Sequence, residues 1–157
     1  MGEIMGLFLS EAVPWGLSPQ ETISLIRSQG GLVGIPHPFG RSLPWNVNPL
    51  TSTDILSQVD IIETFNSRTP FSNGNAKAWK LAKENGKAAS AGSDAHTLRE
   101  IGRAYVEMPE FDGPDDFLNS LAQGKIFGQK SSYLAHFAST WAKIKKHTFG
   151  SSTCSLL

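Results

Sequence analysis

The sequence predicts an α/β fold with mainly parallel strands and outer helices. Short apolar segments alternate with helical segments along the chain, which is the pattern of βα units. Three polar clusters follow three of the predicted strands, where parallel α/β folds place their functional residues. A chain of 157 residues predicts one domain rather than two.

The first elements are indicated by local signals. Residues 4–9 are apolar nearly throughout and predict a strand buried on both faces. Residues 18–21 read Ser-Pro-Gln-Glu, a capping box with proline at the first helical position, so a helix is expected from there to Gly30. A strand over 32–35 follows, and the proline-rich segment 36–41 ends it.

The alternation continues to the end of the chain. The pattern does not distinguish a barrel from an open sheet. Trp79 and Ala82 are expected to face inward from their helix. The predicted elements are a short helix at 53–58, a strand at 59–65, a helix at 73–85, strands at 87–91 and 104–108, and helices at 112–124 and 132–146.

Composition and charge exclude several classes of protein. Because 14 basic residues balance 14 acidic ones, no overall positive field exists to hold a nucleic acid, and the C-terminal lysines are expected to be a solvated face. No apolar run approaches the roughly 20 residues of a membrane span, and the lack of a leader predicts a cytoplasmic location. The single cysteine, Cys154, excludes a cysteine cluster, so a metal would need His, Asp and Glu ligands.

Asp94 and His96 are the sharpest chemical feature. An Asp-x-His segment in a loop can direct a carboxylate and an imidazole to the same side, which suits a metal ion. A turn in which Asp94 caps nearby amides is the alternative, because Asp is common in turns.

His37 and Glu63 are the other candidates. His37 lies between two prolines that fix its backbone. Glu63 stands in an otherwise apolar strand, where a buried carboxylate needs a cation or hydrogen-bond donors. An ion pair between Glu63 and Arg68 is as plausible as a metal site. Arg41 and Arg68 could clamp an anion, or either could be a surface charge.

Several segments in order carry a family resemblance. They are Gly-Ile-Pro-His-Pro-Phe at 34–39, Asp-Ile-Ile-Glu at 60–63 with Asn66 and Arg68, Gly-Ser-Asp-Ala-His at 92–96 and Glu-Ile-Gly at 100–102. Together they resemble the PHP (polymerase and histidinol phosphatase) family of metal-dependent phosphoesterases. The resemblance runs over about residues 2–146, and the Gly-Ser-Asp-Ala-His segment is its most specific part.

The resemblance implies a distorted seven-stranded, TIM-like β/α barrel whose C-terminal mouth holds two or three divalent ions of zinc, manganese or iron. It also implies hydrolysis of phosphoesters by metal-bound hydroxide. The substrate would be a phosphorylated small molecule, a nucleotide or a short oligonucleotide. The implied metal ligands are His37, Glu63, Asp94 and His96, and the implied catalytic residues are Asp94, His96 and Arg68.

The sequence also departs from the family. The opening His-x-His motif, a following Asp and a further Glu are not found, and residues 2–4 lack a His that many members carry nearby. We therefore interpret residues 1–147 as a PHP-like domain without its N-terminal βα units, an incomplete barrel, with a disordered tail at 148–157. Two functions follow: a phosphoesterase in the parent protein, or a non-catalytic module that binds a single metal, an anion or a partner chain.

Overall fold

The computed structural model of the chain describes residues 2–39, 49–69 and 73–131. Short 3₁₀ helices at Pro49–Thr51 and Leu98–Glu100 join the main elements. The main elements are β1 (Met5–Leu7), α1 (Pro19–Ser28), β2 (Leu32–Ile35), α2 (Thr53–Leu56), β3 (Ile61–Asn66), α3 (Gly74–Glu84), β4 (Ala88–Gly92), β5 (Ala104–Glu107), α4 (Gly113–Gln123) and β6 (Lys125–Gly128).

A four-stranded sheet of order β1-β2-β3-β4 lies at the centre of the described residues. Strands β2, β3 and β4 are parallel, which confirms the α/β class. The prediction of mainly parallel strands holds only for these three. β1 runs antiparallel to β2, with Met5 opposite Gly34, and β5 and β6 form a separate antiparallel pair with Tyr105 opposite Phe127.

Strand β3 is buried on both faces of the sheet. Successive side chains of a strand point to opposite faces, so Ile61 and Ile62 enter different apolar clusters. Ile62 packs in a cluster with residues of α1, α2 and α3, and Ile61 packs in a second cluster with Leu121 of α4. The two side chains are at most 1% exposed, so β3 and its carboxyl end are held firmly between two layers.

Several local predictions need correction. The first strand is shorter than predicted and only partly buried, because it lies at the edge of the sheet. Trp79 is 54% exposed, and Ala78 and Ala82 are the buried side chains of α3. Strand β6 was not predicted at all; its four residues directly follow α4 and pair with β5.

Other predictions fall outside the described residues. These are Arg41, the helix at 132–146 and the tail at 148–157. Among the residues that the structure does describe, no helix has the length and apolar character to cross a membrane.

The capping box at the start of α1 predicts the effect of a substitution. The Ser18 hydroxyl accepts a hydrogen bond from the Glu21 amide, and the Glu21 carboxylate accepts one from the Ser18 amide. Ser18→Ala is expected to lower the free energy of unfolding by about 1 kcal/mol, measured by urea denaturation. Ser28→Ala, at the exposed far end of the same helix, is the control; an equal loss in both variants would contradict the prediction.

Candidate functional site

The register of the parallel strands brings three predicted residues to one edge of the sheet. Ile35, the last residue of β2, lies opposite Ile62, so His37 follows β2 at the level of the middle of β3. The register then shifts between Glu63 and Phe65, and β4 ends at Gly92 opposite Asn66. Such irregularities re-aim side chains next to functional sites. The loops that carry His37 and Asp94 thus begin on either side of Glu63.

Glu63 is the central carboxylate of this edge. Its Oε2 accepts hydrogen bonds from the His37 backbone N–H at 2.6 Å and from Asn66 Nδ2 at 3.0 Å. Burial raises the pKa of Glu63, and this exceeds the lowering by the bonds from Asn66 and His37. The nearby charge of Asp94 raises the pKa further. Glu63 is therefore a carboxylate that a neighbouring cation would stabilise.

Gly92 leaves the space that the Glu63 carboxylate occupies. A Cβ added at Gly92 would overlap Oε1 of Glu63. Glycine at the end of β4 thus permits the side chain of the adjacent strand to lie against the backbone. The close approach explains why glycine is needed at the end of β4.

His37 lies in the left-handed backbone region, with φ of 28°. Non-glycine residues are uncommon there, and such strained positions cluster at functional sites. The largely buried imidazole directs Nε2 to Oε2 of Glu3 at 3.2 Å. Glu3 was not among the predicted site residues, because its contact with His37 depends on how β1 pairs with β2. Its antiparallel pairing with β2 places the start of β1 beside the end of β2.

Asp94 and His96 form a second pair. Asp94 is also left-handed, with φ of 48°, so the chain turns directly after β4. Nδ1 of His96 lies 2.8 Å from the backbone carbonyl oxygen of Asp94. Because a carbonyl only accepts, Nδ1 carries the proton of the neutral ring, and Nε2 keeps its lone pair. This is the form in which histidine commonly binds a metal.

Arg68 pairs with a carboxylate that the sequence analysis did not assign a role. Its Nη1 lies 2.8 Å from Oε1 of Glu100, and the two residues are 8% and 2% exposed. The catalytic role predicted for Arg68 stays a prediction. The other oxygen of Glu100 accepts bonds from the His96 N–H at 3.1 Å and the Thr97 hydroxyl at 3.0 Å.

The pKa of Glu100 is lowered, in contrast to that of Glu63. Burial opposes ionisation of Glu100, but the His96 amide, the Thr97 hydroxyl and the charge of Arg68 together outweigh it. Glu100 is therefore ionised and already has its counter-charge.

Asn66 connects the two halves of the site. Its Nδ2 donates to Glu63, and its Oδ1 accepts from the Arg68 backbone N–H at 2.8 Å. Asn66 is only 1% exposed, and its own backbone is bonded to the Asn75 side chain. One chain of hydrogen bonds thus runs from His37 through Glu63, Asn66, Arg68 and Glu100 to His96. The only sequence signal for Asn66 and Glu100 was their place in the family motifs.

The carboxylates and imidazoles at this edge are suitable ligands for a divalent ion. However, they lie in pairs: His37 with Glu3, and His96 with Asp94. Two ligand atoms at tetrahedral angles around zinc lie about 3.4 Å apart, close to the 3.2 Å between His37 and Glu3. Among residues 2–39, 49–69 and 73–131, no group of three or more His, Cys, Asp or Glu side chains is placed to hold one ion. The described residues alone therefore do not form a complete metal centre, which needs at least three protein ligands.

Comparison with known proteins finds a family match that covers part of this site. Residues 73–126 match a family described as PHP-associated. They cover α3, β4, the loop with Asp94 and His96, β5 and α4, which confirms the PHP resemblance for this half of the site. His37 and Glu63 precede the matched segment.

The relatives are longer than the aligned part of this chain. The uncharacterized protein MJ0417 of Methanocaldococcus jannaschii is 38% identical over 131 residues, which are 76% of this chain and 55% of that protein. The uncharacterized protein MJ1587 of the same organism is 63% identical over 38 residues, 24% of this chain and 22% of that protein. This chain thus spans about half the length of MJ0417.

A solved structure shares the fold. PsfC from Pseudomonas syringae PB-5123 matches with a TM-score of 0.58 and 17% identity, over 86% of this chain and 55% of PsfC. At this identity the match concerns the fold alone.

The raised pKa of Glu63 predicts a pH-dependent effect of Glu63→Gln in metal-free protein. The folded state holds a proton that the unfolded chain releases at its ordinary pKa of 4.5. The contribution of Glu63 to the free energy of unfolding therefore falls as pH rises through the range just above 4.5. The glutamine variant lacks this contribution. Glutamine keeps both hydrogen bonds, because both donors go to one oxygen.

Urea denaturation across this pH range measures the effect. The stability of Glu63→Gln relative to wild type is expected to increase with pH and then to level off. Glu84→Gln, in an exposed pair with Lys80, is the control and should follow the wild-type curve. Parallel curves for Glu63→Gln and wild type would refute the prediction.

The contact between Gly92 and Glu63 predicts a coupling between two substitutions. Gly92→Ala is expected to lower the free energy of unfolding by about 1–3 kcal/mol, because the new methyl group displaces the carboxylate. In a Glu63→Ala background the same change should cost less, since the carboxylate is gone. A double-mutant cycle by urea denaturation measures this, and equal costs in both backgrounds would show that the overlap is unimportant.

Proposed function

We propose that this chain supplies part of the active site of a PHP-type, metal-dependent phosphoesterase. The observation that carries the proposal is the edge where β2, β3 and β4 bring together His37, Glu63 and the Asp94 loop. The PHP-associated family of residues 73–126 supports the same conclusion. The substrate would be a phosphorylated small molecule, a nucleotide or a short oligonucleotide.

The proposed metal ligands are His37, Glu63, Asp94 and His96, and Glu3 joins them because it contacts His37. Glu63 suits this role because burial makes its negative charge unfavourable without a cation. His96 suits it because hydrogen bonding leaves the lone pair on Nε2. A divalent ion supplies two things to such a reaction: it lowers the pKa of water and offsets charge on a phosphoryl group.

Asp94 and His96 are also the proposed catalytic residues, since both lie on the loop that follows β4 at the candidate site. Arg68 is the third. Its guanidinium is bonded to Glu100, so its contribution to the site passes at least in part through that carboxylate.

The proposal places further ligands outside the described residues. The donors of the described residues come in pairs, and the chain spans 55% of MJ0417. We propose that the full protein completes a distorted seven-stranded barrel and holds two or three ions of zinc, manganese or iron. The strand edge of β1, which is unpaired among the described strands, is where additional strands would join.

One observation favours the second candidate function, a module without catalysis. Because no three donors converge among the described residues, this chain by itself could bind a single ion, an anion or a partner chain. The two functions differ in whether the extended protein hydrolyses a phosphoester, and the ion content of the 157-residue chain shows which ligands it supplies by itself.

The test is the metal content of the purified chain after manganese or zinc supplementation. Two or more ions per chain, lost in His37→Ala/Asp94→Ala, are expected if these residues assemble the cluster themselves. A protein extended to the length of MJ0417 should hydrolyse p-nitrophenyl phosphate or its diester in a metal-dependent way, and the double variant should lose this activity.

Glu84→Ala provides the matched control, since it removes an exposed carboxylate far from the strand ends. It should retain metal and activity. Unchanged activity in the His37→Ala/Asp94→Ala variant of the extended protein would exclude the phosphoesterase proposal. Retention of one ion without turnover by the extended protein would favour the non-catalytic module.

A further inference from the structure

We propose that Glu100 is a positioning residue of the candidate site. Its buried carboxylate fixes the backbone of His96, so that the imidazole keeps one orientation and one tautomer. The consequence for metal binding rests on the proposed function, whereas the effect on the imidazole is independent of it.

The geometry of Glu100 is that of a fully engaged carboxylate. It is 2% exposed, and an ion this deeply buried is tolerated only when paired and hydrogen-bonded. Arg68 occupies Oε1, while the His96 amide and the Thr97 hydroxyl occupy Oε2. Glu100 therefore joins the loop after β3, which carries Arg68, to the loop after β4, which carries His96.

His96 is held at two points. Its backbone N–H is bonded to Glu100, and its ring Nδ1 is bonded to the carbonyl of Asp94. Asp94 reverses the chain with a positive φ, a conformation that persists only where the surroundings hold it. Without the Glu100 carboxylate, the amide of His96 would lose its acceptor, and Arg68 would lose this ion pair. The segment would then rearrange, and the ring would lose its fixed relation to the Asp94 carbonyl.

The chain contains a matched ion pair at the other end of the sheet. Asp60 accepts hydrogen bonds from Arg27 at 2.8 Å and from the Val33 backbone N–H at 2.7 Å. Like Glu100, it is a carboxylate between an arginine and a backbone amide, and it is more exposed, at 18% against 2%. However, Asp60 precedes β3, and the candidate site follows its strand ends. Asp60→Asn is therefore the control for a loss of stability that does not involve the site.

The test compares Glu100→Gln and Asp60→Asn in metal-free protein by ¹⁵N NMR of the histidine rings. At about pH 8.5, well above the ordinary histidine pKa of about 6.5, the spectrum reports the tautomer. Wild type and Asp60→Asn are expected to show His96 protonated at Nδ1 only. Glu100→Gln is expected to show a mixture of the two tautomers. A His96→Gln variant assigns the signal.

Manganese affinity is the second readout. Glu100→Gln is expected to bind Mn²⁺ about 10–100-fold more weakly than wild type, as is usual for residues that orient metal ligands. Asp60→Asn should bind like the wild type even though its melting temperature falls. If wild type itself binds no Mn²⁺, the metal site needs ligands beyond those of this chain, and the tautomer still decides the role of Glu100.

Two results would overturn the inference. One is a wild-type His96 tautomer in Glu100→Gln, and the other is an equal change in Asp60→Asn. If Glu100→Gln does not fold, Thr97→Val replaces it, since this exposed residue loses only its hydroxyl bond to Glu100. The Thr97→Val variant is then expected to show the second His96 tautomer in a smaller fraction than Glu100→Gln would. A wild-type spectrum would again refute the role of Glu100.

Discussion

A carboxylate that leaves water needs donors or a cation, and this requirement organises the candidate site. Glu63 and Glu100 both carry their charge away from solvent, and each collects hydrogen bonds from a different strand end. Asn66 joins the two groups of bonds through its side-chain amide. As a result, the loops after β2, β3 and β4 are linked by one polar network rather than held separately.

The two carboxylates differ in how their charge is compensated. Glu100 has the guanidinium of Arg68, and its pKa is lowered although burial acts in the opposite direction. Glu63 has mainly neutral donors, and burial leaves its pKa raised. This difference separates their roles. Glu100 already has a counter-charge and is suited to holding a loop, whereas the charge of Glu63 would be stabilised by an additional cation. The division is consistent with a metal ligand supported by a residue that positions its neighbour.

Local signals in the sequence predicted much of the fold. The capping box determined the start of α1, and the apolar segments with their terminating prolines and glycines located β2, β3 and β4. Signals of this kind act between residues that are close in sequence, so they do not specify which strands pair or which helix face packs on the sheet. The prediction that Trp79 faces inward from α3 was wrong. Ala78 and Ala82 allow the helix to approach the sheet and leave the indole exposed. Strand β6 was missed because its partner, β5, lies across an intervening helix.

The sequence by itself determined the candidates for a cation site: His37, Glu63, Asp94 and His96, each near the end of a predicted strand. Only the tertiary structure decided their partners. Glu3 reaches His37 because β1 runs antiparallel, and Arg68 meets Glu100 rather than lying open to an anion. The physical reason is that strand direction, register and burial arise from packing between distant segments. The charge state and orientation of each group depend on that packing.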